Sequence, residues 1–329
     1  MKDQNPVEAA RRWLEKHDRI ALATVVSTWG SAPVPIGGQL AVAPGEHFAG
    51  SVSGGCVEAD VIAEAAEVMA GGHARLLSFG VTDEMAWLAG LPCGGTIKIF
   101  LEPLEARPDS AFLDRILDAQ RLRQTLLVST DVSTGSRDVL EEGSSLPPAA
   151  AVCLRSGKSR LIETHDGGNF IQVFLPPVRL VIAGATHIGQ VLASLAREIG
   201  YDVVVVDPRG AFATEDRFAD TKIVNEWPKD AMATLGVDAR SAIVALTHAE
   251  HIDDEALSAA LRSPCIYIGA LGSKRTQAKR VERLENAGFS EVEMARIHAP
   301  VGLAIGAQGP AEIAVSVLAE IVKVVRGVE

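Results

Sequence analysis

From residue 178 onward one pattern recurs: a β-branched apolar run, a short turn, then a helix with a single apolar face. RLVIAG precedes HIGQVLASLAREIG, in which Ile188, Val191, Leu192, Leu195 and Ile199 share one side. DVVVVD is a second such run; SAIVALT leads into the helix DDEALSAALR, CIYIGA into SKRTQAKRVERLENAG, and PAEIAVSVLAEIVKVVRG closes as a long helix. Strands that are apolar at every position are covered on both faces, and their alternation with helices makes them parallel. The fold class is therefore α/β, with a C-terminal doubly wound, Rossmann-like parallel sheet. Pro176 and Pro177 forbid helix and central strand, so the domain boundary falls there: residues 1–176 form one domain and 178–329 the other.

The first 176 residues read as an α+β domain. A helix over 6–17 leads to the strand IALATVVST, the loop WGSAPVPIGG, the strand QLAVA and the turn GSVSGGC. A helix over about 56–70 carries Val57, Val61, Ala65 and Val68 as one stripe. ARLLSF and TIKIFLE flank the loop GLPCGG, 109–123 is helical, QTLLVST is a strand, and AAAVCLR, RLIETH and NFIQVFL form a meander.

A net charge of −11 argues against nucleic acid or an anionic membrane as the main partner. No run of 18 apolar residues occurs, and the polar N-terminal stretch MKDQNPVEAARRWLEKHD is not a signal peptide, so the expected location is the cytoplasm. Cys56, Cys93, Cys153 and Cys265 form no CxxC pair, which leaves no local zinc ribbon, iron–sulfur or disulfide pattern. HExxH, GxSxG and Walker A motifs are also absent from the sequence.

The strand-to-helix turn VIAGATHIG fits the outer positions of G-x-G-x-x-G with Gly184 and Gly189 but has Thr186 in the middle. A helix N-terminus remains for one phosphate, with His187 and Ile188 in its first turn. Asp207, at the end of the second strand, stands where an acid receives a ribose diol, and Arg209 follows closely. Two further loops converge at the carboxyl ends of the strands. THAEHIDD brings His248 and Asp253; GALGSKRT brings Gly269, Gly272, Ser273 and Lys274 as a second anion cradle. The bland alternative is that these glycines turn the chain and Ser273 caps a helix.

GSAPVPIGG, GSVSGGCVE and GLPCGG, then GATHIG, DPR, THAEHID, YIGALGSKRT and HAPVGLAIGAQGPAEIAVS, together resemble the XdhC/CoxI family of molybdenum-hydroxylase maturation proteins, over nearly the whole chain. Thr186 and Gln308 stand where that family usually has a glycine and commonly an acid. The resemblance implies a chaperone, without required turnover, that binds molybdenum cofactor (molybdopterin), supports its sulfuration with a sulfurtransferase of the cysteine desulfurase type, and inserts it into a xanthine dehydrogenase-type molybdenum hydroxylase. Its cofactor-facing residues would be Gly184, Thr186, His187, Ile188, Gly189, Asp207, Arg209, His248, Gly272 and Ser273, with Cys56 and Cys93 as molybdenum-facing thiols. An NAD(P)-binding oxidoreductase and a redox-sensing regulator remain the alternatives. The apolar strands of the first domain point to a homodimer.

Two readings of the thiols stay open. Cys56 follows Gly-Gly and Cys93 precedes Gly-Gly; a thiolate in the first turn of a helix, with exposed amides around it, suits a soft metal or sulfur transfer. Otherwise each is a small filler in a tight corner. Glu58 and Asp60 are expected to complement the helix dipole, and Cys153, in a strand, and Cys265 to lie in the core.

Overall fold

The computed structural model describes residues 5–30, 32–45, 47–80, 95–140, 146–164 and 167–328. The chain divides into two compact units, Met1–Pro176 and Pro177–Glu329. Among the described residues no helix is long and apolar enough to cross a membrane.

The first unit contains two antiparallel sheets. β1 (Arg19–Trp29) lies in the middle of a five-stranded sheet, between β2 (Gln39–Ala43) and β5 (Thr96–Glu105), with β3 (His47–Gly50) and β4 (Arg75–Gly80) at the edges. The run IALATVV is buried at every position because both faces of the sheet are covered. Ile20 and Leu22 pack under α1 (Pro6–Trp13) and α3 (Ala106–Arg121); Ala21, Ala23 and Val25 pack under α2 (Glu58–Gly71). A bulge between Val25 and Ser27 shifts the β1–β5 register and ends this double burial. The second sheet has the order β7 (Arg137–Leu140), β6 (Leu126–Asp131), β9 (Gly167–Phe174), β8 (Arg160–Thr164).

One expected strand is a helix. AAAVCLR lies within α4 (Pro148–Ser156), where Pro148 occupies the first turn, alanines fill the interior and Gly157 ends it in the left-handed region. These local signals outweigh the strand-like alternation, and Cys153 is buried on the helix face against Leu127 and Ile171. The first helix also stops at Trp13 rather than near residue 17.

A buried ionic cluster ties the two sheets together. Arg137 of β7 reaches Glu102 of β5 at 3.1 Å and Asp109 of α3 at 3.1 Å, and its guanidinium lies over the Phe112 ring. Burial pushes the Glu102 carboxyl up to about 7; Arg137 opposes the rise and Asp109 adds to it.

The second unit is one six-stranded parallel sheet. Its order is β12 (Lys222–Val224), β11 (Asp202–Val206), β10 (Arg179–Ala183), β13 (Ser241–Ala245), β14 (Tyr267–Ala270), β15 (Ile297–His298). In sequence terms this is 3-2-1-4-5-6, the dinucleotide-fold order, with its switch point between β10 and β13. Leu180, Ile182, Val203 and Val205 face α5 (His187–Glu198) and α10 (Gly309–Val325). Val181, Ala183, Val204 and Val206 face the layer of α6 (Pro228–Leu235), α7 (Glu250–Leu261) and α8 (Lys274–Asn286), beside the short α9 (Glu291–Met294). Each such buried valine or isoleucine stabilises the unit by roughly 1.5–3 kcal/mol.

A fragment spanning 177–329 is expected to unfold cooperatively on its own, since it holds a complete sheet with helices on both faces; a molten, protease-sensitive product would move the boundary. For Glu102 the folded carboxyl lies above the ordinary 4.5, so its contribution is complete below pH 4.5 and lost as pH rises to about 7. The stability of Glu102→Gln relative to wild type should therefore rise across that window, by at most about 1.4 kcal/mol per pH unit. A difference independent of pH in denaturant melts would refute the account.

Candidate functional site

In the first unit the turn 51–57 is organised by one carboxylate. Glu58 is the first residue of α2, and its side chain folds back over the loop that precedes it. Its Oε1 accepts from Ser51 Oγ (2.5 Å) and from the amides of Val52 (3.1 Å), Ser53 (2.9 Å) and Gly54 (3.1 Å). Oε2 accepts from Gly55 N (2.8 Å) and from Ser53 Oγ. Four consecutive amides and two hydroxyls thus form an anion nest filled from within. Burial alone would raise this carboxyl, but the donors outweigh it and hold it at about 2. Gly54 (φ 79°) and Gly55 (φ 111°) supply the left-handed backbone that aligns the amides.

This corrects the expected setting of Cys56. The helix starts at Glu58, so Cys56 lies in the turn before it, and the amides of residues 52–55 are already taken by Glu58. Cys56 is exposed, and its own amide donates to Ser53 Oγ at 3.0 Å. Cys93, with most of the GLPCGG loop, lies outside the described residues. Cys153 and Cys265 are core residues, as the sequence suggests.

In the second unit the glycine loop after β10 is tight. A side chain at Gly184 would stand 2.6 Å from Thr247 Cγ2, and one at Gly189 2.8 Å from the Gly184 carbonyl. Thr186 caps α5, its hydroxyl accepting from Gly189 N at 3.2 Å. His187 is exposed at the first helical position, while Ile188 packs into the core.

Asp207 is fully buried at the end of β11 and braces this loop rather than standing open to a ribose. Its Oδ2 accepts from Ala185 N (2.8 Å), and Arg209 binds the carboxylate through its amide, Nε and Nη2 at 2.8–2.9 Å. Burial would raise the Asp207 carboxyl, but these donors keep it below the ordinary carboxylate range. Arg209 also lies 4.4 Å over the Phe212 ring.

The loop after β13 is braced in the same way. Asp253 Oδ1 accepts from Thr247 N (3.1 Å) and Thr247 Oγ1 (2.6 Å), which leaves His248 exposed with φ 62°. After β14, Gly272 (φ 139°) leads to Ser273, whose hydroxyl caps α8 by accepting from Thr276 N at 3.2 Å. The glycine-loop residues, Asp207, Arg209, His248, Gly272 and Ser273 all belong to segments at the carboxyl ends of β10, β11, β13 and β14.

Sequence reasoning missed several braces. Arg217 donates to Ala185 O (3.0 Å) and Gln190 Oε1 (3.1 Å), holding the glycine loop from outside. Arg280 is 2 % exposed beneath the α8 start, and Glu320 of α10 accepts from Gly302 N and from Tyr267 Oη. A polar residue at helical spacing carries no sign in the sequence of which loop it reaches.

A family model described as XdhC and CoxI family matches residues 13–80, and one described as XdhC Rossmann domain matches 180–321. The molybdenum cofactor insertion chaperone PaoD of Escherichia coli (strain K12) is 33% identical over 308 residues, 92% of this chain and 82% of PaoD. A probable xanthine dehydrogenase subunit from Bacillus subtilis (strain 168) is 28% identical over 319 residues, 94% of each chain. A crystal structure of a xanthine dehydrogenase from Bacillus halodurans matches with a TM-score of 0.79 at 26% identity, covering 99% of this chain and 97% of that one.

Glu58→Ala should lower stability by about 2 kcal/mol or more, because the amides of buried Val52 and Ser53 lose their acceptor. A depressed carboxyl contributes above its ordinary 4.5 and loses that contribution as pH falls to about 2, so the gap between wild type and variant should close over this range. Equal denaturation midpoints at pH 7 would show that the nest does not hold the turn.

Proposed function

The chain belongs to the XdhC and CoxI family, and from that membership we propose that it is an accessory chaperone which binds molybdenum cofactor and supports its insertion into a xanthine dehydrogenase-type molybdenum hydroxylase. The observation that carries this reading is the 33% identity to PaoD, which extends over 92% of the chain and therefore includes both units.

The cofactor is cargo. In this reading the loops at the carboxyl ends of the parallel strands bind phosphate-bearing cargo, and the exposed thiol of Cys56 is a soft donor for molybdenum or sulfur. Support for the second role comes from chemistry: Cys56 is an exposed thiol on a turn clamped by six hydrogen bonds to Glu58, and soft sulfur suits molybdenum and sulfur transfer. Cys93 is assigned the same role by the resemblance alone. Sulfuration, with sulfur delivered by a cysteine desulfurase, work in the cytoplasm and a homodimeric assembly complete the proposal.

NAD(P) is the competing occupant of the second unit, and the 3-2-1-4-5-6 strand order favours it. The internal pairing of Asp207 weighs against a ribose there, since neither oxygen of that carboxylate is left facing solvent to accept from a ribose hydroxyl. Calorimetric titration with NAD(H), NADP(H) and isolated molybdenum cofactor separates the two occupants.

The thiol role is tested by loading a cofactor-free hydroxylase. Cys56→Ser should melt within a degree or two of wild type, as surface changes usually alter stability by less than about 0.5 kcal/mol. It should nevertheless retain less sulfurated cofactor and activate the hydroxylase several-fold less. Full activation by this variant would return Cys56 to a packing role.

A further inference from the structure

Local preference is broken at one aromatic residue of the second unit. Trp227 is the N-cap of α6, a position that favours a short polar side chain able to accept from the first free amides. Its indole makes no such bond. Burial does not account for it either: 45% of the residue faces solvent, and Nε1–H has no acceptor among the described residues. Residues that go against local rules without a packing gain are expected where a chain meets a ligand.

The ring is nevertheless held in place. His251, exposed in the first turn of α7, lies against it with ring centroids 5.9 Å apart at 54°, so the two are tilted and not stacked face to face. The backbone beneath is fixed by the buried Pro228, Ala231 and Met232 of α6, and by Lys229 N, which donates to Glu255 Oε1 of α7 at 2.9 Å. Trp29, the other exposed indole of the described residues, has no ring beside it among them.

Trp227 stands where an open parallel sheet takes ligands, beyond the carboxyl ends of its strands. β11 and β12 pair at Val206 and Val224, and Arg209 and Trp227 each follow that pair by three residues, so the two leave the sheet side by side. Arg209 lies 4.4 Å over the exposed Phe212 ring; bonded to Asp207, it also feels the charge of Asp253 in α7, two residues on from His251. Just before the indole, Asn225 and Glu226 are exposed and have no side-chain partner among the described residues. The amide of Asn225 both donates and accepts, and the carboxylate of Glu226 accepts.

We infer that Trp227 is the stacking platform for a flat, fused nitrogen heterocycle, laid on the indole with its polar edge read by Asn225 and Glu226. A braced aromatic face selects a planar ring, and unpaired donors and acceptors beside it select a heterocycle over a hydrocarbon. A pterin and a purine share this chemistry. Assigning the ring to the pterin of molybdenum cofactor rests on the function proposed above; the subsite itself does not.

The test combines calorimetry with quenching of tryptophan fluorescence, on the full chain, using 6-hydroxymethylpterin, adenosine and isolated molybdenum cofactor. Trp227→Ser removes the ring and supplies the cap that α6 lacks, so it should keep the wild-type fold while a ring that uses the platform binds at least about tenfold more weakly. Trp227→Phe keeps an aromatic face and should bind within about threefold of wild type, but quenching should fall because the covered emitter is gone. Trp29→Leu, in the first unit, should change neither readout. The subsite stands only if at least one ring binds wild type, loses affinity in Trp227→Ser and loses quenching in Trp227→Phe; which ring does so names the source. Any other result overturns it, including no binding by all three. The chaperone reading is decided separately. Cofactor bound equally by wild type and Trp227→Ser leaves that reading intact and places the pterin elsewhere, whereas adenosine held at Trp227 with no cofactor binding to wild type keeps the subsite and removes the chaperone reading.

Discussion

Backbone amides at the ends of strands and the starts of helices need acceptors, and in this chain carboxylates from the following elements supply them. Glu58 takes four amides of its own preceding turn; Asp207 takes Ala185 N; Asp253 takes Thr247 N; Glu320 takes Gly302 N. Each acid belongs to one element and fixes the loop of another, or of its own entrance. The loops therefore keep defined shapes although glycines such as Gly54, Gly55, Gly184 and Gly272 give them left-handed backbone. Where one carboxylate meets every amide of a turn, as Glu58 does at 52–55, the turn presents side chains and not backbone to a ligand.

The architecture was readable wherever burial on both faces leaves an uninterrupted apolar run. RLVIA, DVVVV, SAIVA and IALATVV all became buried strands, and the 3.6-residue stripe of α5 packs at Ile188, Val191, Leu192 and Leu195 as its periodicity implies, whereas Ile199 caps the helix end and is exposed. β12, with only Lys222–Val224 and partial exposure, lacked a pattern strong enough to stand out. AAAVCLR misled because alternation over seven residues is compatible with either state, and Pro148 with Gly157 decided it. Of the site, the glycines could be anticipated, since Gly184 and Gly189 have no room for a side chain. The partners of Asp207 and Glu58 could not. Acid-to-amide pairing depends on how a loop curls, and a helix-dipole argument assigned Glu58 the right neighbourhood but too small a task.

Buried charge is used differently in the two units. In the first, Arg137 of one sheet is shared by Glu102 of the other sheet and Asp109 of α3, an arrangement in which removing either acid leaves the arginine paired with the other. In the second, Arg280 is surrounded mostly by carbonyl and amide oxygens, and its one carboxylate contact is long. The former balances charge and fixes the position of a sheet; the latter ties the loop after β14 to α8.

The place of β1 has a consequence for how the chain comes into being. β1 can pair with β2 as soon as Gln39–Ala43 has been made, but its other edge waits for β5, and Ile20 meets its partner only at Leu104. During synthesis the most apolar strand of the first unit therefore exists for some eighty residues as an open edge, the state in which strands add to other chains. Completion of TIKIFLE closes that edge, so a ribosomal pause before this segment would lengthen the exposure and one after it would not.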